Sequence, residues 1–145
     1  MNYEASFGHW IARLYRSSQN HLAKKLARLH IGRGQHSFLL VLFNKDGVSQ
    51  DYLAKALNMN KAAVARAVSK LEERGYLRRE KDDTDRRNNV VYITEKAKKM
   101  KSKLMDVVES WTETLSAGFS VDERKQVVGL LKRMGDNADR SEKSK

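Results

Sequence analysis

The sequence predicts a mainly α-helical protein with a small β-hairpin, an α+β arrangement of the winged helix-turn-helix type. Three observations predict it. Apolar residues recur at steps of three and four along segments at both ends of the chain, as they do on amphipathic helices. Two short helical segments follow each other closely around residues 58–59. Directly after them, the apolar pattern changes to the two-residue period of β-strands, over residues 76–80 and 90–94.

Length and composition restrict the class of protein. The chain has 145 residues, which suits one domain, and 40% of them are hydrophobic and 32% charged. Its longest purely apolar run, Phe38 to Phe43, is far too short to cross a bilayer. The first residues lack a secretion signal, so we expect a cytoplasmic protein without a membrane partner. There are no cysteines, which excludes disulfides, thiolate zinc sites and thiol redox chemistry.

The net charge favours a polyanionic partner. It is +11, and the pI is about 9.9. Nucleic acid is the first candidate and an anionic membrane surface the second, although lysines that only keep a protein soluble produce the same total. The distribution is uneven, because no acidic residue lies between Glu4 and Asp46. Further basic groups lie within residues 61–87 and 96–103.

Helices are predicted at both ends of the chain. The first covers about residues 4–29, and a second, strongly apolar helix covers residues 35–44 after a break at two glycines. Thr94 is a suitable N-cap for the fifth helix. Ser120 and Glu123 match a capping box, so we expect the last helix to begin there.

The central part of the chain combines two short helices with a hairpin. Ser49 and Asn60 are suitable N-caps for the third and fourth helices, and Gly75 is a suitable residue to end the fourth. The two predicted strands enclose a polar loop, residues 81–89. A hairpin that directly follows a helix-turn-helix is a wing, so this segment predicts a winged DNA-binding unit.

The fourth helix is the predicted recognition helix. Val64, Val68 and Leu71 share the face that packs on the core, and small residues on the opposite face allow the backbone to lie deep in a major groove. Arg66 is placed for a bidentate pair with guanine. A surface helix with no partner remains an alternative. The complete predicted DNA-binding set is Ser49, Gln50, Asn60, Lys61, Ala62, Ala65, Arg66, Ser69, Lys70, Arg86 and Arg87.

The wing loop supplies the last two members of that set. Arg86 or Arg87 on a hairpin tip can enter a narrow minor groove, where the negative potential is enhanced. Asp85 is expected to hold one of these arginines through a charge-assisted hydrogen bond. The alternative is a solvated charge cluster, because the loop has three aspartates against two arginines.

Taken together, several motifs closely resemble the MarR family of bacterial and archaeal regulators, over about residues 35–100. The Asp-Arg-Arg wing followed by Val-x-Ile-Thr is the most specific of them. The motifs are Ser49-Gln50-Asp51-Tyr52-Leu53-Ala54, the run from Val64 to Leu77, Asp85-Arg86-Arg87, and Val91-Tyr92-Ile93-Thr94.

The resemblance implies a homodimer, in which the first helix and the last two form the interface. Residues 1–32 and 95–138 are then the helical dimerisation region, residues 33–94 the winged domain, and residues 139–145 a polar, disordered tail. The broad apolar stripes of the terminal segments, with Trp10 and Trp111, agree with this. A two-fold dimer places its recognition helices roughly 34 Å apart, so the operator should be an inverted repeat.

Departures from the family pattern limit what the resemblance transfers. Many members have a proline in the wing where Asp83 lies here, and many carry Ser or Thr where this recognition helix has Ala62, Ala63 and Ala65. Base preference therefore cannot be copied from a relative. Members that sense peroxides use a cysteine, which this chain lacks.

The resemblance also implies an inducer, because family members commonly lose DNA affinity when a small phenolic or aromatic carboxylate binds near the dimer base. His9, Arg13 and Arg16 are the candidate ligand-binding residues, with Trp10 and Tyr15 beside them. The alternative is that the aromatic residues belong to the core or interface and the arginines are solvated. We expect no metal site and no cofactor.

The sequence supports three functional hypotheses to different degrees. The leading hypothesis is a sequence-specific regulator of double-stranded DNA, a homodimeric repressor on a short inverted repeat, with a small aromatic ligand as a possible inducer. The alternative is an architectural DNA-binding protein of low specificity without an inducer. A metal-dependent nuclease built on Asp82, Asp83 and Asp85 is remote, and no nucleophile or phosphate-loop motif indicates an enzyme.

Overall fold

The computed structural model describes residues 2–144, and the chain divides into two compact units, residues 1–111 and 112–145. Six α-helices and three β-strands lie in the described part, after a 3-10 turn at Tyr3–Ala5. The helices are α1 (Phe7–Ala27), α2 (His36–Asn44), α3 (Gln50–Ala56), α4 (Lys61–Glu73), α5 (Glu95–Leu115) and α6 (Val121–Lys143). The strands are β1 (Val48–Ser49), β2 (Leu77–Lys81) and β3 (Asn89–Ile93).

Polar side chains define where the helices begin, as the sequence predicts. Ser49 accepts a hydrogen bond from the backbone N–H of Tyr52 at the start of α3, and Asn60 accepts one from Ala63 at the start of α4. Each bond satisfies a backbone donor that has no partner inside its helix. Thr94 does the same for α5 through the N–H of Ala97.

The wing contains one strand more than the sequence predicts. The hairpin β2–β3 is present, and β1 pairs antiparallel with the other side of β3, so the strand order is β1-β3-β2. Two residues are too few for an alternation of apolar and polar side chains to show in the sequence. Its pairing with β3, Val48 with Val91 and Ser49 with Val90, makes β1 a strand. It leaves β2 as the other edge of the sheet.

A single hydrophobic core joins the helices and the sheet of the first unit. It contains members of α1, α2, α3, α4, α5 and all three strands, which positions the wing and α4 on one scaffold. Its largest fully buried side chains are Phe38, Leu26, Leu39, Leu42, Leu53, Leu71, Leu77 and Leu104. Burying a side chain of this size contributes about 1.5–3 kcal/mol to folding.

Polar contacts connect α1 to later parts of the first unit. The indole N–H of Trp111 donates to Ser18 Oγ at 2.8 Å, and the ring of His21 stacks on Trp111 with 4.4 Å between the centroids. The Tyr76 hydroxyl donates to the carbonyl oxygen of Leu29. These contacts attach α1 to α5, and the segment that follows α1 to the residue that precedes β2.

The second unit consists of the end of α5 and the long helix α6. Ser120 and Glu123 form the predicted capping box. The guanidinium of Arg124 donates to both carboxylate oxygens of Glu113, at 2.8 and 3.1 Å. This hydrogen-bonded pairing lowers the pKa of Glu113 and raises that of Arg124.

The expectation of a disordered tail over residues 139–145 is corrected, because α6 continues to Lys143. Local interactions account for the extension: acidic residues lie in the first turn and basic residues in the last, which suits the helix dipole. No proline interrupts the segment. Residue 145 lies outside the described residues, as does Met1 at the start of the predicted 1–32 region. No helix in the described range 2–144 is long and apolar enough to cross a membrane.

Candidate nucleic-acid interface

Helix α4 presents two distinct faces. Val64, Val68 and Leu71 are buried in the core, as predicted. Lys61, Ala62, Arg66 and Lys70 are exposed, whereas Ala65 and Ser69 are half-buried. The buried valines hold the helix against the domain, and the outward face combines small side chains with cations. This combination suits close approach to a polyanion.

A cleft of about 600 Å³ separates α4 from the wing loop. One wall comes from the start of α3 and the first turns of α4, and the other from the wing. At its mouth, Lys61 forms an ion pair of 3.5 Å with Asp51. The lining residues are Gln50, Asp51, Lys61, Ala62, Ala65, Asp85, Arg87, Asn88 and Asn89. Four members of the predicted DNA-binding set from the helices therefore share one concave surface with a wing arginine.

The wing loop is organised by its aspartates. Asp85 accepts hydrogen bonds from the backbone N–H and from the Nε of Arg87, at 3.1 and 3.2 Å. The prediction that Asp85 holds one arginine is confirmed for Arg87, whose side chain remains 92% exposed. Asp82 accepts from the backbone N–H and the hydroxyl of Thr84, and these bonds lower the pKa of Asp82. Arg86 is also exposed.

Several predicted DNA-binding side chains also have partners inside the protein. Ser49 and Asn60 are the N-caps of α3 and α4, so their side-chain oxygens are engaged. Gln50 and Ser69 both accept hydrogen bonds from Arg79, at 3.5 and 3.1 Å. These residues organise the interface in addition to any contact with DNA.

Arg79 is a residue that the sequence analysis missed. It lies in β2, and its side chain is only 26% exposed because it reaches across to α4. Its guanidinium also donates to Glu72 Oε1 at 3.0 Å, and its backbone N–H donates to Glu72 Oε2 at 3.2 Å. The available signal was weak: two adjacent arginines in a predicted wing strand, of which only one can face solvent.

The candidate ligand-binding residues do not come together. Arg16 and Tyr15 line a cavity of about 700 Å³ between α1, the start of α2 and α4. His9 and Arg13 do not line it; they flank Trp10 in an aromatic cluster near the N-terminus, with Arg13 over the indole ring at 5.7 Å. The cavity is lined by Tyr15, Arg16, Gln19, Asn20, Arg33, Gly34, Gln35, Phe38, Met59, Arg66, Ala67 and Lys70.

Known proteins share this fold and parts of this sequence. The MarR family model matches residues 31–88. The uncharacterised HTH-type transcriptional regulator YybA of Bacillus subtilis is 30% identical over 112 residues, which are 77% of this chain and 75% of that protein. The crystal structure of a MarR transcriptional regulator from Methanosarcina mazei Go1 is 35% identical, with a TM-score of 0.87 over 92% of this chain and 96% of that one. The chain belongs to the MarR family.

The family resemblance predicted from the motifs is therefore confirmed, as is the winged helix-turn-helix fold. A crystal structure of MarR itself is 26% identical to this MarR-family chain and has a TM-score of 0.86, covering 100% of this chain and 99% of that one. As a MarR-family transcriptional regulator, the protein is DNA-binding. The cleft between α4 and the wing combines small side chains of α4 with Lys61 and Arg87, each of which is paired with an aspartate.

Proposed function

We propose that this MarR-family protein is a sequence-specific repressor that binds a short inverted repeat as a homodimer. One observation carries the proposal. The first turns of α4, with Lys61, Ala62 and Ala65, border the same cleft as the wing arginine Arg87, so a single duplex can receive a helix in its major groove and an arginine in the adjacent minor groove.

Within that arrangement, each side chain has a chemical role. Ala62 and Ala65 leave space for the helix backbone to approach the bases, and their methyl groups suit contact with a thymine methyl. Arg66 supplies two parallel donors for the O6 and N7 atoms of guanine. A MarR-family regulator of Listeria monocytogenes with the same fold, at 20% identity and a TM-score of 0.84, was crystallised with a 26mer DNA.

Exposed apolar side chains support the homodimer. Phe7 is 74% exposed at the start of α1, and Val121 is 69% exposed at the start of α6. Large exposed apolar surfaces on a charged protein mark interaction sites. Covering them with a second copy places two winged domains on one duplex. The further exposed apolar residues of these helices are Trp10, Ile11, Leu14, Tyr15, Val127, Val128, Leu130 and Leu131.

Release by a small aromatic anion is the regulatory part of the proposal. The cavity beside α1 combines the rings of Tyr15 and Phe38 with the cations Arg16, Arg66 and Lys70. An aromatic carboxylate that pairs with Arg66 there competes with base recognition by the same side chain. PcaV of Streptomyces coelicolor, which shares the fold at 20% identity, was crystallised with its natural ligand.

Selection of bound duplexes from a fragmented genomic pool tests the specificity, and light scattering tests the homodimer. The proposal expects an enriched inverted repeat, repression of a promoter that carries it, and twice the chain mass in solution. Specific sites should bind at least about a thousandfold more tightly than random duplex at the same salt concentration. Equal affinity for selected and random duplexes would support the architectural alternative instead.

The ligand part has its own test. Benzoate and 4-hydroxybenzoate serve as the simplest aromatic carboxylate probes in a DNA-release titration. We expect release by millimolar or lower probe, and loss of that response in Arg16→Ala. Arg28→Ala is the matched control, because it removes an exposed arginine of the same region that does not line the cavity. A response that survives in Arg16→Ala contradicts this site.

A further inference from the structure

The contacts of Arg79 join three elements of the DNA-binding unit. Its guanidinium donates to Ser69 and Glu72 on α4 and to Gln50 at the start of α3, while its backbone belongs to β2 in the wing. Arginine suits this position because its planar fork presents several donors in fixed directions. These contacts lie beside the cleft, and two of the partners belong to the predicted DNA-binding set.

Glu72 completes the junction by binding residue 79 twice. One carboxylate oxygen accepts from the guanidinium of Arg79, and the other accepts from its backbone N–H. Because β2 is an edge strand, this outward N–H has no strand partner. The carboxylate therefore fixes both the side chain and the backbone of β2 against α4. With side-chain exposures of 26% for Arg79 and 38% for Glu72, the pair is partly shielded from solvent.

The carboxylate of Glu72 is unfavourable for DNA binding by charge alone. It lies on the recognition helix, and a negative charge near the interface repels phosphates. Its two bonds to residue 79 provide the positioning function that offsets this repulsion.

We propose that Arg79, held by Glu72, is a positioning residue that sets the wing at the distance and angle from α4 at which Arg66 and Arg87 contact one duplex together. Arg79 acts through Gln50, Ser69 and the wing strand. The inference rests on DNA binding by the winged domain, and it does not depend on repression, dimerisation or ligand release.

Charge-neutralising variants test this proposal, because the positioning role and simple electrostatics predict opposite changes in DNA affinity. Glu72→Gln removes a negative charge and should still weaken binding to a mixed-sequence 30-base-pair duplex by about threefold or more at fixed salt. The matched control is Glu73→Gln, an exposed neighbour on the same helix, which should bind as well as wild type or more tightly. Tighter binding by Glu72→Gln would overturn the proposal.

Arg79→Met and Arg79→Lys separate geometry from charge. The lysine keeps the positive charge and lacks the fork, so we expect both variants to weaken binding to a similar extent. In both variants, the slope of log affinity against log salt concentration should fall by about one phosphate contact per winged domain. The reason is that the wing no longer contacts the duplex. Wild-type affinity and salt dependence in Arg79→Lys would show that only the charge matters and would contradict positioning.

Hydrogen exchange on the free protein provides a readout without DNA. Amides of β2 and β3 should exchange faster in Glu72→Gln and Arg79→Met than in wild type or Glu73→Gln, with thermal unfolding within a few degrees of wild type. Unchanged exchange in the wing would overturn the proposal. Since this measurement uses no duplex, it distinguishes failure of the junction from failure of the proposed regulatory function.

Discussion

Helix α4, in the winged segment from α2 to β3, and the terminal helix α6 have similar amphipathic patterns but different surroundings. In the winged segment, Phe38, Leu39, Leu42 and Leu53 are completely or almost completely buried. In α6, no described residue is buried. Equal periodicity therefore predicts a helix in both regions without predicting what covers its apolar face.

The polar residues differ between the two regions as well. In the winged segment, side chains such as Arg79, Asp85 and Asn60 each bond to several neighbours or cap a helix, so contacts within the protein position them without DNA. In α6, Arg140 donates to Asn137 within the same helix, and Arg124 donates to Glu113 at the end of α5. Preorganisation is useful for recognition, since ordering side chains upon binding costs free energy.

The largest expected effect comes from removing an apolar side chain in each region. Leu39→Ala should lower the free energy of unfolding by about 2–5 kcal/mol, because Leu39 is fully buried. Leu131→Ala removes the same atoms from a side chain that is 52% exposed. Its effect should be smaller and should depend on protein concentration if a second copy covers α6. Urea unfolding at two protein concentrations measures both effects. A loss of stability in Leu131→Ala that equals the loss in Leu39→Ala and does not depend on protein concentration would contradict the difference between the two regions.

Arg66→Ala tests the base-reading role of α4. We expect specific binding to weaken by about 1–3 kcal/mol and the preference at one base position to relax, because a bidentate pair with guanine is lost. Titration against a panel of single-base operator variants measures both. Arg28→Ala, the exposed control, should keep the specificity profile. An Arg66→Ala profile identical to wild type would remove this residue from base recognition.

A smaller effect is expected for the wing. Arg87→Ala should weaken binding less than Arg66→Ala, reduce the salt dependence by about one contact, and lower the preference for A·T-rich flanks. The reason is that Arg87 lies on an exposed loop, and the role proposed for it depends on groove width instead of base edges. Fluorescence anisotropy at four salt concentrations is the measurement. If the affinity of Arg87→Ala and its dependence on salt concentration both equal those of wild type, the wing does not enter the groove.

The smallest expected effect is a pH dependence of the winged segment. Burial lowers the pKa of His36 from its ordinary value of 6.5, so the unfolded chain takes up a proton at higher pH than the folded one. The contribution to stability is complete above pH 6.5 and is lost as the pH falls from there toward the lowered folded pKa. His36→Gln should flatten the stability profile between pH 8 and 5. Parallel profiles for His36→Gln and wild type would contradict this.

Much of the fold could be predicted because it depends on local chemistry. Interactions within a few residues account for the order of the helices and for the end of α4 before Gly75. They also account for the N-caps Ser49, Asn60 and Ser120. The wing hairpin and the family motifs were likewise visible in consecutive residues. Local helix stabilisation was underestimated in α6, where the polar end of the chain remains helical without a core to bury.

The sequence by itself therefore determined the order of the helices, the wing hairpin, the cationic face of α4 and the family. Tertiary structure decided which distant residues meet. It paired Val48 with Val91 as a third strand, and it brought Arg79 to Gln50, 29 residues away. Of the three candidate ligand-binding residues, it brought only Arg16 to the lining of the cavity beside α1, whereas His9 and Arg13 do not line it. The physical reason is that caps and periodicity act over one or two turns, whereas these contacts exist only after the core has closed.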